Sequence, residues 1–552
     1  MRAFIVILVI FIFTQCARQT QPNGGPKDTS PPELLSSNPS NGEKNFRGTS
    51  LELTFNEYVK LKDPKEEILI TPSLGTNTRF TAKKNKVIIT PENKWIDSTT
   101  YSIAFRDGIQ DINESNPTDD LHLAFSTGPI IDSLTIHGSI SEIFKDQIPE
   151  KITIGLYQSD TFDIFKHKPL LFSKSDKAGN FSIRNLKAGK YFIYAFDDKN
   201  KNQKVDSKTE RFGFSAKQIN LTQNTDSLEV KKDSLNVQKD TLLIRIIHLD
   251  TRPIKLTSIR NTSTVSIMRF NKLLDSLRMT SESAPIIYTF GDNKSEVILY
   301  KENFDKTDSI KINIYATDSL HQQLDTTAYA KFTDTKIIPE KFKLSAWNLK
   351  YDLATNSIVA KASYNKLLLT LNYDSIYIQI DTVTFQQITP KEITVDTLYK
   401  TVQLKTKLKI NPKAKNPTPI LLFGKGAFVS IDNDSSKSQD LKIQIPKIES
   451  TGIVSVELKT KEPHFEVLLT TASNNSLVSS FRDKTKYTFS YLEPGEYKIT
   501  ILVDSNNNKR WDPGDFYKKE EPERVILYKT LEKKDSFPIR ANWELGPLVI
   551  TF

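Results

Sequence analysis

The chain has 552 residues, too many for one core, and about 100–150 residues per domain predicts four or five domains. Its 76 Lys and Arg and 66 Asp and Glu are scattered through one another, for a net charge of +10. A nucleic-acid binder would gather its cations on one face around a recognisable module, so nucleic acid is set aside as a partner. Three Met against 31 Phe and 19 Tyr favour β structure, because aromatic and branched side chains suit a half-buried pleated surface.

The opening MRAFIVILVIFIFTQCARQT carries one Arg, an apolar run from Ala3 to Phe13, and then Cys16, the only cysteine. The run is too short for a membrane-spanning helix, which needs about 20 residues, and has the length of a secretory h-region. A Cys directly after such a run resembles the lipobox of a bacterial lipoprotein, although Gln15 and Thr14 stand where small residues are usual and Phe13 where Leu is commonest. The resemblance implies a signal peptide over residues 1–15 and lipidation of Cys16 with diacylglycerol and a palmitate-type acyl chain. It also implies an outer-membrane location, facing the periplasm or the cell surface. Several acyl chains, at ~0.8 kcal/mol per buried methylene, would make the membrane a stable partner. Residues 16–30, rich in Gly and Pro, read as a flexible tether.

Residues 31–128 contain the alternating segments SLELTF, KVIIT, TYSIAF and HLAFST between turn residues, as a two-sheet sandwich requires. Pro39 and Gly42, Phe55 and Val59, Tyr101, Asp111 and the closing Phe125 to Gly128 resemble the bacterial Ig-like domain of the surface-layer protein type. The acid pairs Glu66–Glu67 and Asp111–Glu114 read as solvated turns.

Residues 129–235 hold LTIHGSI, KITIGLY and DKAGNFSIRNLKAGKYFIYAF. Their Asp-x-x-Gly-x-Phe-x-Ile and Leu-x-x-Gly-x-Tyr order resembles transthyretin-like, carboxypeptidase-regulatory-like β-sandwich modules. Gly179 is placed in a hairpin turn, and Phe181, Ile183, Tyr191 and Ile193 point inward. Residues 181–206 align without a gap to 487–512, at an offset of 306, with eight identities in 26 columns. Residues 449–552 are therefore a second copy, with GIVSVELK as the counterpart of LTIHGSI. Between them, 236–340 and 341–448 read as two further Ig-like sandwiches, in which MRFNKLL and ASYNKLL echo TFNEYVKL. Residues 220–240 read as a linker with one edge strand. No segment beyond the signal shows helical periodicity. The fold class is all-β, a multidomain string of Ig-like and transthyretin-like sandwiches.

Catalytic motifs are missing from this pattern: the six His are single, and no nucleophile elbow or phosphate loop occurs. The one ligand-like feature is the repeated Asp/Asn loop. A Ca2+ ion takes six to eight oxygens, which a 12-residue loop supplies from positions 1, 3, 5, 7, 9 and 12. The second copy offers Asp504, Asn506, Asn508, the carbonyl of Arg510, Asp512 and Asp515. The first offers Asp198, Asn200, Asn202, the carbonyl of Lys204 and Asp206, with four lysines beside them that oppose a cation. Lys509 and Gln203 stand where the EF-hand has Gly. Asp and Asn also hold turns by bonding nearby backbone groups, so a purely structural loop is the competing reading. Trp511 is either a plug on the sandwich end or a stacking platform. These features are similar to bacterial lipoproteins with an N-terminal Ig-like domain. They point to a non-enzymatic, lipid-anchored scaffold for an envelope protein or glycan, with a surface adhesin or glycan- or peptide-binding module as the alternative and a cryptic hydrolase as the third class.

Overall fold

A computed structural model describes residues 28–552 apart from 76, 146–149, 160–161, 223–241, 284, 302–308, 333–339, 382, 397, 399 and 410–418. The signal segment, most of the tether, Cys16 and most of the polar tract 220–240 lie outside the described residues. The chain divides into two compact units. One is Met1–Ile140 with Glu150–Lys204 and Lys217–Leu243; the other is Ser141–Pro149 with Val205–Ala216 and Ile244–Phe552.

Among the described residues nearly all strand pairs are antiparallel, and the chain is an all-β protein with many sheets. SLELTF, KVIIT, TYSIAF and HLAFST form the strands Leu51–Phe55, Lys86–Thr90, Thr100–Ala104 and His122–Ser126. In the first of these the alternation is literal, with Leu51, Leu53 and Phe55 fully buried. Tyr101 and Phe125 stack at 5.5 Å between ring centres, and the Tyr101 hydroxyl accepts the Ile96 N–H at 2.9 Å. One α-helix, Pro64–Glu67, stands among the described residues; at four residues it is too short to leave a periodic signature.

The three segments that the sequence likens to Ig domains share one entry device. In each, a Leu at the start of the first strand pairs with an aromatic residue at the end of the second: Leu34 with Phe55, Leu256 with Phe270, Leu344 with Tyr364. A bulge follows at once in all three. The residue after each aromatic is Asn, and its side-chain oxygen accepts the N–H of the residue before the Leu. The three bonds are Glu33 to Asn56 at 2.9 Å, Lys255 to Asn271 at 2.8 Å and Lys343 to Asn365 at 2.9 Å. The Asn N–H returns a bond to that same residue's carbonyl at 3.0, 3.0 and 3.3 Å. The echo among TFNEY, MRFNK and ASYNK is therefore a bracket that fixes where the first strand begins.

The two transthyretin-like segments repeat in equal detail. Leu134 pairs with Leu186 and Gly452 with Leu492, each followed by a bulge. Gly189–Phe196 and Gly495–Val503 are the counterpart central strands. Tyr191 donates to the Lys187 carbonyl at 2.8 Å and Tyr497 to the Glu493 carbonyl at 2.6 Å, the same corner at the same offset. Asn185 and Tyr491 both take φ 59°, and Gly179 turns its hairpin at φ 79°. Phe181, Ile183, Tyr191 and Ile193 are buried, as the sequence pattern predicts. The polar tract contributes an edge strand, Ile219–Leu221, along Gly189–Phe196.

Replacing Asn365 with Ala removes its bonds to the Lys343 N–H and the Lys341 carbonyl. At about 1 kcal/mol net for a typical hydrogen bond, we expect about 1–2 kcal/mol of destabilisation by chemical denaturation, with Asn365→Asp recovering part of it through the retained acceptor.

Candidate functional site

The repeated loop follows the central strand in both copies, and the N–H bonds to its first three Asp and Asn side chains repeat one for one. Asp198 accepts from the N–H of Asn202 at 2.9 Å and of Gln203 at 3.0 Å; Asp504 accepts from Asn508 at 3.0 Å and Lys509 at 2.9 Å. Asn200 accepts from Asn202 and Asn506 from Asn508, at 3.0 and 3.1 Å. Asn202 accepts from Lys204 and Asn508 from Arg510. Lys201 and Gln203, like Asn507 and Lys509, have φ between 57° and 67°. Alternating a left-handed residue with its neighbours turns successive N–H groups toward one carboxylate, at a cost of order 1–3 kcal/mol for each non-Gly residue so held. Gln203 and Lys509 thus adopt the backbone shape for which an EF-hand uses Gly.

The second loop brings four of its candidate donors together. Asn506 and Asn508 each donate their side-chain amide to Asp512 Oδ2 at 2.6 Å, and buried Asp504 meets Arg482 at 3.2 Å. Asp515 is used elsewhere, accepting from the N–H groups of Tyr517 and Lys518 in its own turn. The Arg510 side chain lies 3.3 Å from Asp512. In the first loop Asp206 accepts from Lys208 N–H. Among the described residues no three His, Cys, Asp or Glu gather as a metal cluster. Trp511 is half-buried, donates Nε1 to the Glu523 carbonyl at 3.0 Å and sets its ring edge-on to Phe144 at 4.9 Å; this is a plug's environment.

The lysines of the first loop have a use that the sequence reading missed. Lys201 reaches Glu66 of the first domain at 3.6 Å, and Lys174 reaches the same carboxylate at 2.5 Å. Glu67, 3% exposed, pairs with Arg106 at 3.2 Å and Lys151 at 2.6 Å. Arg106 also donates to the Lys174 carbonyl at 3.0 Å, and the Thr71 hydroxyl to the Phe172 carbonyl at 2.8 Å. The acid pair read as a solvated turn is instead the junction between the Ig-like domain and the module that follows it. Pro64 starts a single helical turn that carries the two carboxylates on adjacent positions toward different cations. Burial by itself would raise their pKa values, but Lys174 and Lys201 at Glu66, and Lys151 and Arg106 at Glu67, outweigh it and hold both below 4.5.

Asp111 is likewise not a solvated turn residue. It is 2% exposed and accepts from the N–H groups of Glu114, Ser115 and Asn116 at 2.7, 2.8 and 3.0 Å. Burial opposes its charge, yet those three amides prevail and keep its pKa below the ordinary value. Each of these carboxylates thus holds a loop or a junction.

Residues 28–127 match the bacterial Ig-like domain family. Residues 150–240 match a family described as an uncharacterized protein conserved in bacteria. The chain therefore carries a bacterial Ig-like domain. Among solved structures, similarity is found to dimeric latent PorU from Porphyromonas gingivalis, 10% identical over 49% of this chain and 34% of that one, at a TM-score of 0.23. The chain thus spans about a third of the PorU chain's length. BcpA, the major pilin subunit of Bacillus cereus, is 9% identical over 76% of this chain and 99% of its own, at a TM-score of 0.13. The N-terminal Ig1-2 module of the Drosophila receptor protein tyrosine phosphatase DLAR is 8% identical over 35% and 100%, at a TM-score of 0.12. At these scores the likenesses carry no functional information. No curated protein matches.

Two outcomes follow for the junction and the second loop. Both junction carboxyls ionise more readily folded than unfolded, so their stabilisation is complete above about pH 4.5 and is lost as pH falls through the lowered folded values. Glu67→Gln should cost about 2–3 kcal/mol at neutral pH, less than a fully buried pair because Lys151 is more than half exposed, and should flatten the acid limb of the melting-temperature profile. Asp504→Ala should lower the melting temperature equally with Ca2+ and with chelator. A Ca2+-dependent rise in the wild type that this variant abolishes would instead assign a metal to the loop.

Proposed function

We propose that the protein is a non-enzymatic, lipid-anchored envelope protein whose sandwiches form a scaffold for an envelope protein or glycan. The observation that carries the reading is Cys16, the sole thiol in the chain, placed directly after an apolar run of secretory length. Alkylation of that Cys fits a chain with no second cysteine to pair with it. The bacterial Ig-like domain at residues 28–127 is compatible with an envelope setting. A scaffold needs modules held at fixed angles, and the Glu66–Glu67 junction holds two of them by ion pairs and backbone bonds.

No reaction is assigned. The carboxylates with the most unusual surroundings, Glu66, Glu67, Asp111 and Asp504, are spent on Lys, Arg and backbone N–H partners, which supports a structural use over general acid or base work. The alternative of a surface adhesin shares the anchor and differs only in which side of the outer membrane the modules face.

Labelled palmitate should enter the protein in growing cells, and Cys16→Ala should abolish the labelling. Absence of label, or label that survives the substitution, would overturn the anchor. Protease shaving of intact cells then separates the two orientations, since only surface-facing modules are cut before lysis.

A further inference from the structure

The two transthyretin-like modules differ at one matched position that bears on ligand binding. Thr153 pairs with Lys174 on one side and Phe196 on the other; Glu466 pairs with Arg482 and Leu502. Phe196 and Leu502 are separated by the repeat offset, so Thr153 corresponds to Glu466 and Lys174 to Arg482. In the second module the Glu466 carboxylate binds Arg482 at 2.5 Å across the strands. In the first module no carboxylate stands there. Thr153 is 1% exposed, its hydroxyl meets no hydrogen-bond partner, and the Lys174 ammonium turns to Glu66. An unsatisfied buried hydroxyl costs about 1–3 kcal/mol, a penalty that a bound acceptor would remove.

Thr153 and Lys174 both line a cavity of about 270 Å³ within the first unit, between the Ig-like domain and the module. Ile70, Leu74, Phe80 and Phe172 give it apolar walls. Lys65, Lys168 and Lys201 add three further ammonium groups to that of Lys174. The two carboxylates that also line it are already engaged, Glu66 by Lys174 and Lys201 and Asp198 by the Asn202 and Gln203 N–H groups. The lining is net positive, and an ammonium carries three donors, so Lys174 has capacity beyond its bond to Glu66.

We propose that this cavity binds a small organic acid with an apolar body, its carboxylate accepting from the Thr153 hydroxyl and Lys174 where the second module carries its own Glu466 carboxylate. The volume lies near the lower end of ligand pockets and suits a molecule of roughly ten heavy atoms. Such a ligand would bridge the two domains that form the walls.

Octanoate and phenylacetate, with octanamide and phenylacetamide as neutral counterparts, test this by isothermal titration on the full chain. At least one acid should saturate a single site, with its amide bound at least tenfold more weakly. Thr153→Val should weaken the acid about tenfold while leaving the melting temperature equal to or above wild type. Thr153→Glu, which restores the second module's carboxylate, should abolish binding. No saturable binding of either acid, equal binding of acid and amide, or unchanged affinity in a folded Thr153→Val protein would each overturn the proposal.

Discussion

The bond on which this architecture most depends runs from a backbone N–H to the side-chain oxygen of an Asp or Asn. With one cysteine in the chain, no disulfide can staple a sandwich. Strand pairing supplies the sheets, but a sheet of alternating residues can slip by one position and turn its apolar face outward. Register is set where Asn56, Asn271 and Asn365 clamp the entry of the first strand. Asp198 and Asp504 fix the exit of the central strand in the same way, and Asp111 gathers three amides beneath a turn. Short polar side chains thereby do in these turns what covalent cross-links do in many exported domains of this size.

The two transthyretin-like modules differ in where one strand cation goes. Their loops share the N–H bonds to Asp198 or Asp504, Asn200 or Asn506, and Asn202 or Asn508, yet the cation on the neighbouring strand has different partners. In the second module Arg482 satisfies Glu466 and Asp504 and also donates to the Lys509 carbonyl at 2.7 Å, closing the loop on itself. In the first, Lys174 leaves the loop and crosses to Glu66, with Lys201 following it. The first loop thus forms part of the joint between two domains, whereas the second closes on its own module. Lys201, one of the lysines that argue against a cation at this loop, serves that joint.

Much of this was legible in the sequence. Alternation locates the strands, since half-buried pleated segments impose a period of two, and the 306-residue offset from Asp198 to Asp504 exposes the repeat. The echo at Asn56, Asn271 and Asn365 was visible too, although its role was not, because a side chain's partner one strand away leaves no local pattern. What could not be read was docking. Glu67 meets Lys151 across 84 residues and Glu66 meets Lys174 across 108, and neither acid differs in local sequence from one in a solvated turn. Asp111 is illegible for the same reason: its three amides lie within five residues, but its burial is decided by the fold around it.

The Asn bracket also bears on mechanics. In all three segments it grips the residue that leads into the first strand, and among the described residues that strand has one sheet partner, which runs antiparallel to it. Tension arriving through the preceding chain therefore reaches the bracket before any other bond of the sheet, and the bulge just inside it interrupts transmission to the ladder behind. Each of these three segments has a latch at the corner that such tension would reach first, and the strength of that latch would set whether the first strand peels away or the pull passes on to the next segment.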